Sequence, residues 1–217
     1  MINSNTHVVF DLDDTLYKEI DFVKSAYIYI SNYINVRFNL DLSRNIEKCL
    51  AGEVDFFDLI NSRLPLDQSL SIDKYLELYR FHYPDISLSR DASVFLDNIS
   101  KKNIDFSIIT DGRSVSQNNK INALGLNHRA KTIIISEETG YEKPHVHNFK
   151  IIEHAYPDKT LLYIADNTSK DFIAPNSLKW DTVCLLNDGQ NIHVQNFDLN
   201  QDYLPKFKVN SFKEIIV

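Results

Sequence analysis

Glycine is scarce in this chain: five in 217 residues, at positions 52, 112, 125, 140 and 189. A phosphate cradle of the P-loop or dinucleotide-binding kind needs several glycines close together, so both are excluded. Any phosphate chemistry here must rest on side chains, a metal ion and isolated backbone amides. The two cysteines, Cys49 and Cys184, lie far apart and form no Cys-x-x-Cys pair, which reads as reduced structural thiols in a cytoplasm. No run of five or more basic residues occurs and the net charge is −7, which argues against a nucleic-acid partner. No stretch approaches the roughly 18 apolar residues of a membrane span. Residues 1–6 lack the cationic and apolar regions of a secretory signal. These absences leave a cytoplasmic globular protein, long enough for one sizeable core and a smaller module; its oligomeric state is not legible.

What is present begins with Val8-Val9-Phe10-Asp11-Leu12-Asp13-Asp14-Thr15. The apolar run reads as a buried parallel strand, and Asp11 and Asp13 stand at its exit. Clustered carboxylates repel one another and are costly to ionise without a countercharge. A hard, oxygen-rich site of this kind suits Mg²⁺. One carboxylate can attack while its neighbour handles a proton, which outlines a phosphoryl-transfer site. Asp-x-Asp also opens a calcium-binding EF-hand loop. That loop wants Asp or Asn fifth and Gly sixth, where this chain has Thr15 and Leu16.

Further apolar runs follow at 106–109, 132–135, 161–164 and 182–186, with a last strand near 207–209. Helical patterns at about 91–102, 114–124, 145–156 and 170–178 separate them, and Gly125 falls where a helix C-cap glycine belongs. Strand and helix in alternation predict an α/β fold, a Rossmann-like parallel sheet flanked by helices. Such sheets bind ligands beyond the carboxyl ends of their strands. Residues 17–88 break the rhythm with four aromatic-rich helical segments and no convincing strand, and read as a helical insertion after the first strand. Its Tyr and Phe residues are expected in a bundle core. Residues 187–201, rich in Asn, Asp and Gln, read as a loop.

Four strand ends carry specific chemistry, the first with Asp11 and Asp13. Thr110-Asp111-Gly112 offers a hydroxyl and a turn whose amides can face an anion. Lys143, before Pro144, offers a cation in a fixed position. Asp166 and Asp171 form a second acidic pair. In this order, each closing an apolar run, the four resemble the motifs of the haloacid dehalogenase-like superfamily of hydrolases. The resemblance spans essentially the whole chain. It implies that 1–16 and 89–217 form the catalytic core and that 17–88 is a helical cap of the C1 type. Asp11 would be the nucleophile, forming an aspartyl-phosphate, and Asp13 the general acid and then base. Thr110, with the amides of Asp111 and Gly112, would hold phosphoryl oxygens, and Lys143 would neutralise charge. Mg²⁺ would sit between Asp11, the backbone carbonyl of Asp13 and Asp166, with Asp171 in support. Ala165 stands where the family often has glycine; the acidic pair after it is intact.

An acid at position 13 separates phosphatases and phosphomutases from the dehalogenating relatives, because halide leaves without a proton. The resemblance therefore implies a Mg²⁺-dependent phosphatase acting on a small phosphomonoester. A phosphomutase of the same fold is the alternative, and a non-catalytic binding protein on the scaffold a further one. A response-regulator receiver domain is shorter and places its phosphoacceptor on a later strand. Arg113, beside the Thr110 loop, is a candidate substrate contact. His145 and His147 have the wrong spacing for one helix face and read as exposed first-turn residues; Trp180 reads as packing. A small phosphorylated metabolite, a sugar phosphate or a nucleotide monophosphate, is as far as the substrate can be read.

Overall fold

The computed structural model describes residues 2–216. Strand β1 (Thr6–Phe10) is buried along its whole length, as its β-branched and aromatic run requires. Around it the chain alternates. A helical stretch of α1 (Glu19–Phe38), α2 (Ile46–Leu50), α3 (Phe56–Arg63) and α4 (Ile72–Phe81) comes first, then α5 (Arg90–Lys101) and β2 (Phe106–Thr110). These are followed by α6 (Ser114–Ala123), β3 (Thr132–Ile135), α7 (Ser136–Thr139), α8 (His147–Ala155) and β4 (Thr160–Ala165). Helix α9 (Ile173–Ser177), β5 (Asp181–Leu185) and β6 (Phe207–Val209) complete the order. The six strands are parallel, in the order β3-β2-β1-β4-β5-β6.

That order fixes the site. From β1 the chain builds outward through β2 and β3, then returns to pair β4 on the other flank of β1. The carboxyl ends of β1 and β4 therefore border the crevice where the strand order reverses, the place such sheets bind ligands. Asp11 and Asp166 are the residues that follow these two strands.

Period-two alternation divides the sheet between two cores. Val8, Phe10, Ile108, Leu162 and Ile164 join one with α5 residues Phe95, Leu96 and Ile99. Val9, Ile109, Tyr163 and Ala165 join the other with Phe149, Ile152 and Trp180. Phe10 meets the rings of Phe95, Phe106 and Phe212 edge-on, with centroids 5.6–6.1 Å apart. Removing such a buried ring costs roughly 3–5 kcal/mol.

Local chemistry sets the helix ends. Asp55, Ser71 and Ser89 accept backbone amides at the starts of α3, α4 and α5. Gly125, at φ 67°, closes α6, with Leu126 N–H bonded back to the Ile121 carbonyl (2.9 Å). The helices between 19 and 81 hold a third core, including Ile30, Ile34, Phe56, Ile60, Tyr75 and Leu78. Tyr27 stacks on Phe56 and Phe57 on Tyr75 there. Other aromatics of the stretch depart from the expected bundle core: Tyr29, Phe81 and Tyr83 are exposed, and Phe22 belongs to the main core. Short helix α7 carries no signal in the sequence, because Ser136-Glu137-Glu138-Thr139 is too brief for a periodic pattern. Among the described residues no helix is long and apolar enough to cross a membrane.

Candidate active site

The β1–β4 ladder runs one residue beyond β1: Asp11 N–H donates to the Ile164 carbonyl (3.0 Å), which anchors the backbone of Asp11 beside β4. The chain then turns sharply. Asp14 takes a left-handed conformation (φ 54°), and its two carboxylate oxygens accept the amides of Glu19 (2.9 Å) and Ile192 (2.8 Å). This turn points Asp11 and Asp13 into different surroundings.

Asp11 faces Lys143, whose Nζ lies 2.6 Å from Asp11 Oδ1 and 2.7 Å from Asp171 Oδ1. The same ammonium donates to the Tyr163 hydroxyl (3.2 Å), which in turn donates to Asp171 Oδ1 (3.3 Å). The Asn167 amide holds the second oxygen of Asp171 (2.9 Å). Burial would strip the proton from Lys143, but Asp11 and Asp171 outweigh it and hold its pKa well above the ordinary lysine value. Burial pushes Asp11 up to about 7, more than Lys143 offsets, with Asp171 and Asp13 adding to the rise.

Asp13 has a separate set of donors. Tyr17 donates its hydroxyl to Oδ1, Lys120 Nζ lies 2.7 Å from the same oxygen, and Gln117 Nε2 donates to Oδ2 (3.0 Å). Burial works to raise its pKa, but the Lys120 ammonium and these hydrogen bonds prevail and lower it. Gln117 also donates to Thr110 Oγ1 (2.5 Å), leaving the threonine proton free to reach a ligand. Gly112, at φ 141°, lets this glutamine pass: a Cβ there would stand 3.2 Å from the Gln117 side chain.

Gly112 N–H donates to Ser136 Oγ (3.0 Å), so that amide is engaged within the protein. The Asp111 carboxylate accepts the Lys143 amide (3.1 Å) and Lys170 Nζ (2.8 Å), which locks the loop that presents Lys143. Arg113 lies at the surface, paired with Glu137 at 2.6 Å. Asp166 is buried and accepts Asn191 Nδ2 at Oδ2 (2.9 Å). His145 and His147 stack against Tyr141, and Trp180 is buried in the sheet core.

Asp11, Asp166 and Asp171 each bring a carboxylate oxygen within 4.8 Å of the others, all three buried. Lys143 balances two of them, while the side-chain partner of Asp166 is a neutral amide. Burial, then Asp11 and Asp171, push Asp166 up to about 9. A hard divalent cation fits this donor set and supplies the missing charge.

Sequence reasoning missed Tyr17, Gln117, Lys120, Tyr163 and Asn191. A signal did exist for two of them. Helix α6 buries Ser116, Gln117 and Lys120 beside Ile121, a polar stripe on the face that should be apolar. Asn191 lies in a segment whose composition says only loop.

A family model described as haloacid dehalogenase-like hydrolase matches residues 8–184. A glyceraldehyde 3-phosphate phosphatase of Methanocaldococcus jannaschii is 25% identical over 223 residues, covering 96% of this chain and 94% of the relative. A second one, of Methanopyrus kandleri, is 26% identical over 231 residues with the same coverage. Among solved structures, the HAD-hydrolase YfnB of Bacillus subtilis, bound to magnesium, superposes with a TM-score of 0.62 at 19% identity, covering 96% of each chain. That likeness is one of fold.

Proposed function

We propose that this chain, which belongs to the haloacid dehalogenase-like hydrolases, is a phosphatase that passes the phosphoryl group of a small phosphomonoester to Asp11 and then to water. The observation that carries the reading is the separation of Asp11 and Asp13 into two environments. Asp11 lies among Lys143, Asp166 and Asp171, where a phosphoryl group and a cation can meet it, while Asp13, gripped by Lys120, Tyr17 and Gln117, stands apart to move protons.

In this mechanism Asp11 Oδ attacks phosphorus while Lys143 and the Thr110 hydroxyl offset charge on the nucleophile and the phosphoryl oxygens. Asp13, which Lys120 holds as the carboxylate, takes the proton carried by the monoanionic phosphomonoester and passes it to the departing ester oxygen. In the second step it takes one from the water that attacks the aspartyl-phosphate. Asp11, the Asp13 backbone carbonyl and Asp166 would hold Mg²⁺, with Asp171 in support. When bound, the ion would offset the charge between anionic nucleophile and anionic phosphate. Asp111 acts on Lys143 through the loop, and the surface pairing of Arg113 makes it the weakest of the substrate candidates.

The substrate class follows from the relatives and the chain's charge. The two relatives described above bear the name glyceraldehyde 3-phosphate phosphatase, which puts glyceraldehyde 3-phosphate first for testing, ahead of larger sugar phosphates and nucleotide monophosphates. A net charge of −7 disfavours large polyanions. Residues 17–88 serve as the cap in this reading, supported by their own core. Two free, buried cysteines are in keeping with a reducing cytoplasm.

The test is phosphate release from a panel of small phosphomonoesters, with and without Mg²⁺, beside Asp11→Asn. Metal-dependent release that the substitution abolishes is the expected result. Isomerisation of a sugar phosphate without release would replace phosphatase by phosphomutase, and equal activity in the variant would overturn the reading.

A further inference from the structure

The segment after β5 contains no strand or helix from 186 to 200, yet side-chain bonds pin it in place. Asn187 Oδ1 accepts the amides of Gly189 (2.7 Å) and Asn191 (3.1 Å), closing a tight turn. Gln195 Nε2 donates to the carbonyls of Asp166 and Leu185, both at 2.8 Å, while its Oε1 accepts the Asn187 amide (2.9 Å). Asn196 N–H donates to Thr168 Oγ1 (2.9 Å). The segment is thereby fixed against the loop that follows β4.

Its other edge meets the start of the helical insertion. Ile192 N–H donates to Asp14, whose second oxygen accepts the amide that opens α1. Lys18 Nζ lies 2.8 Å from both Asp188 Oδ1 and Asn191 Oδ1. Asn191 therefore uses both ends of its amide: the oxygen accepts from Lys18, and the nitrogen donates to Asp166 Oδ2 (2.9 Å).

We infer that Asn191 is a positioning residue for the metal-binding carboxylate, in a relay Lys18–Asn191–Asp166 that ties the first turn of the insertion to the cation site. The inference rests on the metal site proposed above. One donor fixed on Oδ2 orients the carboxylate and orders its oxygens, and such supports of a ligand typically change metal affinity 10–100-fold when removed. Lys18 in turn fixes which way the amide of Asn191 faces, since its ammonium can only donate. The relay makes the geometry of Asp166 depend on where the first turn of the insertion sits.

The measurement is Mg²⁺ binding by calorimetry on the full chain without substrate, together with metal-free melting temperatures. Asn191→Ala is expected to weaken Mg²⁺ by about 10–100-fold while the metal-free protein melts near the wild-type temperature. Gln195→Ala, which loosens the segment without touching the Asp166 carboxylate, should lower the melting temperature and shift affinity less. Lys206→Met, at an exposed ion pair with Asp181, should leave affinity unchanged. Wild-type Mg²⁺ affinity in Asn191→Ala would overturn the inference, and so would Asn191→Ala and Gln195→Ala weakening binding equally. If Asn191→Ala does not fold, Lys18→Met decides: a several-fold loss of affinity supports the relay, and wild-type affinity refutes it. Asp166→Asn separates this from the underlying reading. If that variant binds Mg²⁺ as wild type does, the metal site itself is wrong.

Discussion

Lys120 Nζ lies 2.7 Å from Oδ1 of Asp13, across 107 residues of sequence. The ammonium is buried and sits 4.3 Å from the ring centroid of Phe22, on the first helix of the insertion. One cation thus joins three parts of the molecule: the turn after β1, the helix after β2 and the helical insertion. Tyr17 and Gln117 complete the grip on Asp13.

Breaking that grip should disturb proton transfer more than substrate binding. Losing one charge-assisted hydrogen bond costs about 1.5–3 kcal/mol, so Lys120→Met should lower kcat by roughly tenfold to a hundredfold. Because Lys120 favours the carboxylate form of Asp13, the loss should fall on the base step, hydrolysis of the aspartyl-phosphate, and the pH profile of that step should move upward. Single-turnover rates of phosphoenzyme formation and hydrolysis across pH decide it. Equal losses in both steps with an unmoved profile would assign Lys120 to folding or binding.

The two carboxylates of the turn should fail differently. Asp11→Asn removes the nucleophile, so no turnover is expected. Asp13→Asn removes general acid–base help, worth roughly 10²–10⁴-fold, and should leave a slow enzyme. Single-turnover rates measure both, and similar modest losses would contradict the division of labour.

A prediction away from the site concerns His7. It is buried on β1, bonded through Nε2 to Ser107 Oγ (2.8 Å) and stacked on Tyr156 at 3.6 Å. Burial lowers its pKa from 6.5 to about 4, with Asp105 raising it and Lys159 lowering it in smaller measure. The fold therefore holds His7 neutral, while the unfolded chain takes up a proton below about pH 6.5. Its contribution is complete above that pH and is lost as the pH falls toward 4. The amount is on the order of 1–3 kcal/mol. Urea unfolding at pH 7 and pH 4.5 should show a smaller drop for His7→Gln than for wild type; equal drops would contradict it.

Much of this architecture is written in local pattern. Apolar runs at 106–109 and 161–164 read as buried strands, and the residues that end them, Thr110 and Asp166, stand where a parallel sheet exposes its ligand-binding edge. The donors around Asp13 leave a fainter trace, the polar stripe of α6. Gln117 and Lys120 reach it only because β2 pairs beside β1 and brings the start of α6 over the turn. Asn191 reaches Asp166 only through a fold-back stabilised by asparagine and glutamine side chains. Polar residues in a loop look alike in sequence whether they face water or a carboxylate. Nor does adjacency to Thr110 show that Glu137 on α7 pairs with the Arg113 guanidinium at the surface.

The central claim is that Asp11 carries the phosphoryl group, and the most direct measurement looks for it there. Enzyme mixed with Mg²⁺ and a radiolabelled phosphomonoester is quenched in acid within one turnover, and the labelled peptide is mapped. The account predicts label on the peptide containing Asp11, absent in Asp11→Asn and accumulating in Asp13→Asn, where hydrolysis of the intermediate is slowed. Rapid turnover with no label on Asp11 at any time point, in wild type or Asp13→Asn, would contradict it.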